Sequence, residues 1–315
     1  MKKIVAVGLL VLLAFSGCFS PWAGNGNLTI TWGNSGGGRW YTDTTFSSIA
    51  YFIVTLRGPG GTIEEKFDKG STGNSFKVIP GTWNVSVKGY SLIPVGQQSF
   101  TFGLEVMGIE QIEVKPGQGN RETIALYTAA EINEWGDINA QNYTGGAFNG
   151  FSTQIALYLI NNDLEYNGST YTTSSDCIFV TEKDVTIRRG SAGQSGSFFN
   201  VDTTVTLGLK GMSGTLTLDG KTNSPLWGNV IVSIGNGPTL KMYDGVIIKN
   251  SKNGTNCTGV SLGQGAKFYM YGGTITGNDI GVAENSSFGT FIKYGGTVSG
   301  NTSGNYKNGT YIMPR

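Results

Sequence analysis

The sequence predicts an all-β protein, an N-terminal antiparallel β-sandwich followed by a right-handed parallel β-helix (a solenoid), and three observations carry that prediction. Glycine is abundant, 50 of 315 residues, and only 14% of residues are charged. Thr, Ser, Asn, Val, Ile and aromatics fill short alternating runs between turn residues, the composition of many strands and few helices. The C-terminal part carries near-copies of one stretch: "LKMYDGVIIKN" (Leu240–Asn250), "FYMYGGTITGN" (Phe268–Asn278) and "FIKYGGTVSGN" (Phe291–Asn301).

In the N-terminal part, residues 19–38 are rich in Gly and Asn and read as a tether in which only "NLTITW" has the pattern of a strand. A two-residue period then runs through "AYFIVTLRGPGG", "SFKVIPGTWNVSVKGY" and "GIEQIEVKPGQGNRETIAL". Their Pro-Gly turns predict hairpins about Pro80-Gly81 and about Pro116–Asn120, within a half-buried antiparallel sheet spanning 39–128. The stretch "IPGTWNVSVKGY" resembles the signature of small bacterial Ig-like or prealbumin-like modules, and "VKPGQGNRETIAL" is similar to their closing strands. Trp83 and Tyr90 are expected as core and corner residues. Residues 129–151 have no two-residue period and are expected to form a linker or cap with a short helix.

From residue 152 to 315 each period divides into three strand-sized pieces, "NVIVSI", "TLKMYDG", "VIIKN" and then "GVSLG", "KFYMYGG", "TITGN". No piece is long enough to make a stable hairpin with its neighbour, so the pieces must pair across repeats. Three short strands per period of about 20 to 35 residues describe a parallel β-helix. The "GGTITGN" and "GGTVSGN" units, with "VTIRRG" and "GTLTLDG" before them, resemble the repeats of bacterial surface proteins with pectin-lyase-like β-helices. Gly245, Gly273 and Gly296 stand where the chain turns a corner, which requires a residue at ease with positive φ. Asn250, Asn278 and Asn301 close the units and are expected to form a turn ladder of stacked amides.

Tyr243, Tyr271 and Tyr294 hold one place in successive coils and are expected to stack at about 4.8 Å intervals. Facing outward they would form a platform for a glycan or a host surface protein; facing inward they would fix coil register. Alternation alone leaves both open.

Composition removes several chemistries. With no histidine the chain lacks the base of Ser-His-Asp and Cys-His devices and the commonest zinc ligand. Lys+Arg 22 against Asp+Glu 21 supplies no field of one sign for nucleic acid. Gly220-Lys221-Thr222 has Thr215 where a phosphate-binding loop needs glycine. The competing reading is a polysaccharide-active enzyme, a lyase or glycoside hydrolase, which as a hydrolase needs carboxyl groups about 5 to 9.5 Å apart. The acids of the repeat region, Asp163, Glu165, Asp176, Glu182, Asp184, Asp202, Asp219, Asp244, Asp279 and Glu284, contain no Asp-Asp pair. Asp244 stands in the turn slot of Gly272 and Gly295, and Arg188-Arg189 reads as a solvated turn. No catalytic set, metal-ligand spacing or cofactor motif stands out, and the expected role is adhesion, glycan binding or structure without catalysis. Oligomeric state is left open.

At the N-terminus, Lys2 and Lys3 precede the apolar run Ile4–Phe15. That run is too short to span a hydrocarbon core of about 30 Å and suits an export signal. "FSGC" (Phe15–Cys18) resembles the bacterial lipobox, with Phe15 where that motif usually carries Leu. The resemblance implies a signal peptide over 1–18, a lipid on Cys18 as the membrane anchor, and an exported chain at the bacterial cell envelope, on the outer membrane or cell surface. Cys177 and Cys257 enter strands about three coils apart, roughly 14 Å at 4.8 Å per coil, beyond the reach of a disulfide.

Overall fold

The structure, a computed structural model, describes residues 26–33, 49–95, 99–135, 137, 156–173, 176–190, 196–201, 206–221, 230–252, 257–284, 289–307 and 310–314. Contacts divide the chain into two units, one of Met1–Gly38, Phe52–Val87 and Gly108–Leu126, the other of Arg39–Tyr51, Lys88–Met107 and Tyr127–Arg315.

The first unit is a β-sandwich built from β1 (Gly26–Gly33), β3 (Gly61–Asp68), β4 (Gly73–Val78), β7 (Gly119–Ala125) and segments of β2 (Ile49–Gly58), β5 (Gly81–Val95) and β6 (Ser99–Val114). One sheet has the order β4-β1-β7, with β1 antiparallel to β4 and parallel to β7. The other runs β6-β5-β2-β3. Alternation explains the interior. Leu28, Ile30, Trp32, Val54, Leu56, Phe76, Val78, Trp83, Val85, Val87, Ile112, Val114 and Ile124 are all buried, every second residue of each strand facing the opposite sheet.

Two expectations are corrected here. The turns about Pro80-Gly81 and Pro116–Asn120 do not close hairpins: β4 and β5 lie in different sheets, as do β6 and β7. A Pro-Gly turn fixes that the chain reverses but not which strand pairs with which. Buried Trp83 marks the crossover, its indole N–H donating to the carbonyl of Ile79 at 2.8 Å. Within the stretch 19–38, the strand expected at "NLTITW" is β1, which lies at the centre of its sheet. Its alternating Leu28, Ile30 and Trp32 form a single strand set among glycines.

The second unit is a right-handed parallel β-helix. It opens with β8 (Tyr127–Ile132), which overlaps the start of the stretch 129–151 expected to link or cap, and β8 pairs in parallel with β9 (Ala156–Ile160). The coils follow as β10 (Leu164–Tyr166), β11 (Tyr171–Thr173), β12 (Cys177–Thr181), β13 (Val185–Arg189), β14 (Phe199–Val201), β15 (Thr206–Gly211), β16 (Leu216–Asp219), β17 (Val230–Ile234) and β18 (Thr239–Met242). They continue as β19 (Val246–Lys249), β20 (Thr258–Leu262), β21 (Lys267–Met270), β22 (Thr274–Thr276), β23 (Ile280–Glu284), β24 (Thr290–Lys293), β25 (Thr297–Ser299), β26 (Gly304–Lys307) and β27 (Thr310–Ile312). Each strand pairs with the one three places on, giving sheet 1 (β10-β13-β16-β19-β22-β25), sheet 2 (β11-β14-β17-β20-β23-β26) and sheet 3 (β9-β12-β15-β18-β21-β24-β27). In sheet 3, β8 continues the order beyond β9 and is met in antiparallel by Val106 and Met107 of β6.

Register turns the interior into columns of like residues. One runs Cys177, Leu207, Leu240, Phe268, Phe291 on sheet 3 and ends on the exposed Tyr311 of the last strand; another runs Ile187, Leu218, Ile248, Ile275, Val298 on sheet 1. Buried Trp135 lies against Tyr166, Phe198 and Phe199 of the first coils and donates to the carbonyl of Ser169 at 2.8 Å. Its indole thus occupies the core beside the opening coils and satisfies its own polar atom. At the corners Gly245, Gly273 and Gly296 have φ of 72°, 81° and 76°. A Cβ on Gly296 would stand 2.6 Å from the carbonyl oxygen of Gly273 one coil away, so both φ and backbone approach require glycine.

Candidate binding face on the third sheet

The outward face of sheet 3 follows from its inward one. Leu240 and Met242 of β18, and Phe268 and Met270 of β21, are fully buried, so alternation turns Lys241, Tyr243, Tyr269 and Tyr271 to the outside. Tyr271 and Tyr294 are 41% and 54% exposed, which answers the question that alternation left open. Tyr243 and Tyr271 stack with centroids 5.2 Å apart and planes within 14°. Tyr271 and Tyr294 stack at 5.1 Å and 6°. Tyr269, two residues before Tyr271 and so on the same face, lies 6.4 Å from Tyr271 and 6.5 Å from Tyr294, nearly parallel to both. Lys210 sits over the ring of Tyr243 at 5.9 Å, a cation–π contact one coil back. Partial burial, then the neighbouring tyrosine, raises the hydroxyl pKa of Tyr243 and of Tyr271. Both remain protonated donors and acceptors at neutral pH.

The asparagines divide differently. Asn278 is fully buried. Its Oδ1 accepts from the Ser251 amide at 2.9 Å, and its Nδ2 donates to the Ile248 carbonyl at 3.3 Å and to Asn301 Oδ1 at 3.1 Å. Asn301 Oδ1 also accepts from the Asn278 amide at 3.0 Å, and Asn301 Nδ2 reaches Asn305 Oδ1 at 3.0 Å. Asn250 lies one column earlier than the repeat pattern suggested. Register pairs Lys249 with Thr276 and Thr276 with Ser299, so Asn250 aligns with Gly277 and Gly300, and all three have φ near the left-handed helix, 64°, 68° and 65°. Asparagine is the non-glycine residue that best tolerates that region. Its Nδ2 donates to Asp219 Oδ1 at 3.0 Å. Ser251 therefore occupies the column of Asn278.

Three of the acids serve the coils. Asp163 Oδ1 accepts from the Thr186 amide and Asp184 Oδ1 from the Thr215 amide, each at 2.8 Å, tying corners of successive coils together. Asp219 accepts from the Lys221 amide and lies 3.6 Å from Lys249. Arg188 points outward to Asp163 at 3.3 Å, whereas Arg189 is buried between Tyr166 and Phe198, 5.2 Å from each ring centre. Adjacent strand residues face opposite ways, so the basic pair expected at a solvated turn is split. Burial lowers the pKa of the Arg189 guanidinium, whose NH2 donates to the Gly196 carbonyl at 2.8 Å. Among the described residues no cluster of three His, Cys, Asp or Glu side chains could hold a metal ion. Asp202 and Cys18 lie outside the described residues.

One polar cluster was missed in the sequence. Lys88 and Glu182, both nearly buried, form an ion pair at 2.8 Å, and Tyr90 donates to Glu131 at 3.2 Å while stacking on Tyr51. Burial, then the Glu131 charge, raises the pKa of the Tyr90 hydroxyl. Their sequence separation left no local signal. Cys177 and Cys257 are buried and neither is in a disulfide; burial pushes the Cys177 thiol up to about 12.

Comparison of the chain with protein-family models, with curated protein sequences and with solved structures found no match.

Proposed function

We propose that this is a lipid-anchored protein of the bacterial cell surface whose β-helix binds glycan without cleaving it. The observation that carries the binding reading is the outward stack Tyr243–Tyr271–Tyr294, exposed at Tyr271 and Tyr294, with Tyr269 beside it. Aromatic hydroxyls on a rigid sheet meet polyhydroxylated ligands at low entropic cost, since their neighbours already hold the rings in place. The non-catalytic reading draws on the acids, among which Asp163, Asp184 and Asp219 bind backbone amides of adjoining coils or turns. The anchor reading rests on Lys2, Lys3, the apolar run and "FSGC" ending in Cys18. The finer likenesses, an Ig-like or prealbumin-like sandwich and a pectin-lyase-like helix, rest on the quoted motifs and suit a surface protein.

A glycan array probed with the chain from Phe19 onward, followed by incubation of each retained glycan and analysis for shortened or unsaturated products, tests the reading. Retention without product is expected. Chain shortening would instead establish the polysaccharide-active alternative.

A further inference from the structure

Resting on that glycan-binding reading, we infer that the ladder takes an extended β-1,4-linked polysaccharide lying along the solenoid axis, one sugar per coil. The geometry of the stack limits what it can hold. Tyr271 has Tyr243 on one face and Tyr294 on the other, so its ring faces are already covered. What it offers a ligand is its edge and its hydroxyl. A lone sugar cannot lie flat on such a ring, but a chain running over the row of hydroxyls can meet them in succession.

The spacing selects the kind of chain. Ring centres recur every 5.2 and 5.1 Å, close to the rise of a single pyranose in an extended β-1,4-linked polymer. The planes deviate by only 14° and 6°, so the row stays straight over these coils and a ribbon-like chain remains in register with it. An α-1,4-linked chain coils and loses register after the first contact. The neighbouring outward column adds a margin: register aligns Lys241, Tyr269 and Ile292. Tyr269 and Ile292 supply apolar surface for the C–H groups of the sugars. Lys241, and Lys267 at the outward start of β21, supply donors for their oxygens. Asp244, exposed in the turn after Tyr243, is the acid nearest in sequence to the row. Lys210 over Tyr243 provides one more rung at that end.

The test is calorimetric titration of the chain from Phe19 onward with cello-oligosaccharides of two to six sugars and with malto-oligosaccharides of the same lengths. Cello-oligosaccharide affinity should climb with each added sugar and level off beyond four, the three tyrosines plus Lys210. Malto-oligosaccharides should show no such climb. Tyr271→Phe, which keeps the stack and deletes one hydroxyl, should weaken cellotetraose about tenfold, the order of one lost hydrogen bond, without changing the melting temperature. Equal affinity for the two series, or cello-oligosaccharide affinity independent of length, overturns the one-sugar-per-coil inference while glycan binding stands. That inference also falls, with glycan binding intact, if neither series binds but the array retains another glycan that Tyr271→Ala releases. Failure of every glycan to bind would instead remove the reading on which the inference rests.

Discussion

Replacing Asn278 with alanine probes the repeated stretch from the inside. The side chain is fully buried and makes three hydrogen bonds, to the Ser251 amide, the Ile248 carbonyl and Asn301 Oδ1. Alanine deprives Ser251 N–H of this acceptor and Ile248 C=O of this donor in a place water does not reach. A buried polar group stripped of a partner costs about 1–3 kcal/mol, and Asn301 Oδ1 still accepts from the backbone amide of residue 278. The expected loss is about 2–3 kcal/mol, which in a unit of this size lowers the melting temperature by about 5–10 °C. Asn305→Ala, at the exposed end of the same network, should change it by less than about 2 °C. Thermal and urea unfolding of the chain from Phe19 onward, followed by circular dichroism, measures both. Equal melting temperatures for the two variants would mean that the amide ladder does not hold the coils together.

Further outcomes are expected elsewhere in the molecule. Removing the charge of one partner of the Lys88–Glu182 pair, as in Lys88→Met or Glu182→Leu alone, should cost about 3–5 kcal/mol by stranding a buried charge, whereas the double variant Lys88→Met with Glu182→Leu should recover most of it; the double-mutant cycle of these three variants by urea unfolding decides, and additive losses would deny the coupling. Burial raises the Cys177 thiol from 9.0 to about 12 and the Tyr158 hydroxyl from 10.0 to about 12. The native state then binds more protons than the unfolded state above about pH 9, so their contribution is intact below that and lost as pH rises toward 12. Stability that stays flat from pH 8 to 11 would contradict this. Native protein should resist thiol alkylation at Cys177 and Cys257 until unfolded, and rapid labelling of either would place it outside the core. Cys18→Ala should abolish incorporation of labelled palmitate and leave the unprocessed chain, while unchanged labelling would remove the anchor.

The coils were legible because their corners repeat. A glycine pair or Asp-Gly after each aromatic strand marks the same turn three times, and the apolar letters between the marks alternate as an inward-facing strand must. Where the letters vary, legibility falls. Strand β8 reads "YTAAEI", with small and charged residues where a strand usually shows β-branched ones, and only its pairing with β9 defines it. In the sandwich the turns were visible but the partners were not, since pairing between distant strands leaves no local trace. Orientation is carried by parity within each strand. Val185 and Ile187 face inward, which sends Arg189 in and Arg188 out. Leu240 and Met242 in the same way send Tyr243 out. The misplaced Asn250 shows the opposite hazard, because matching the last letter of each unit slid that coil by one residue against its true register. The Lys88–Glu182 pair, distant in sequence, depends on tertiary packing alone.

If the repeated stretch is construction on its inner side and recognition on its outer side, the two roles separate in a single variant. Tyr243→Ala, Tyr271→Ala and Tyr294→Ala are combined, and glycan retention is measured on the array that retains the parent chain, with the melting temperature recorded alongside. The triple variant should lose retention and, its rings being partly or largely exposed, melt within a few degrees of the parent. Retention equal to the parent's would contradict recognition by the tyrosine face.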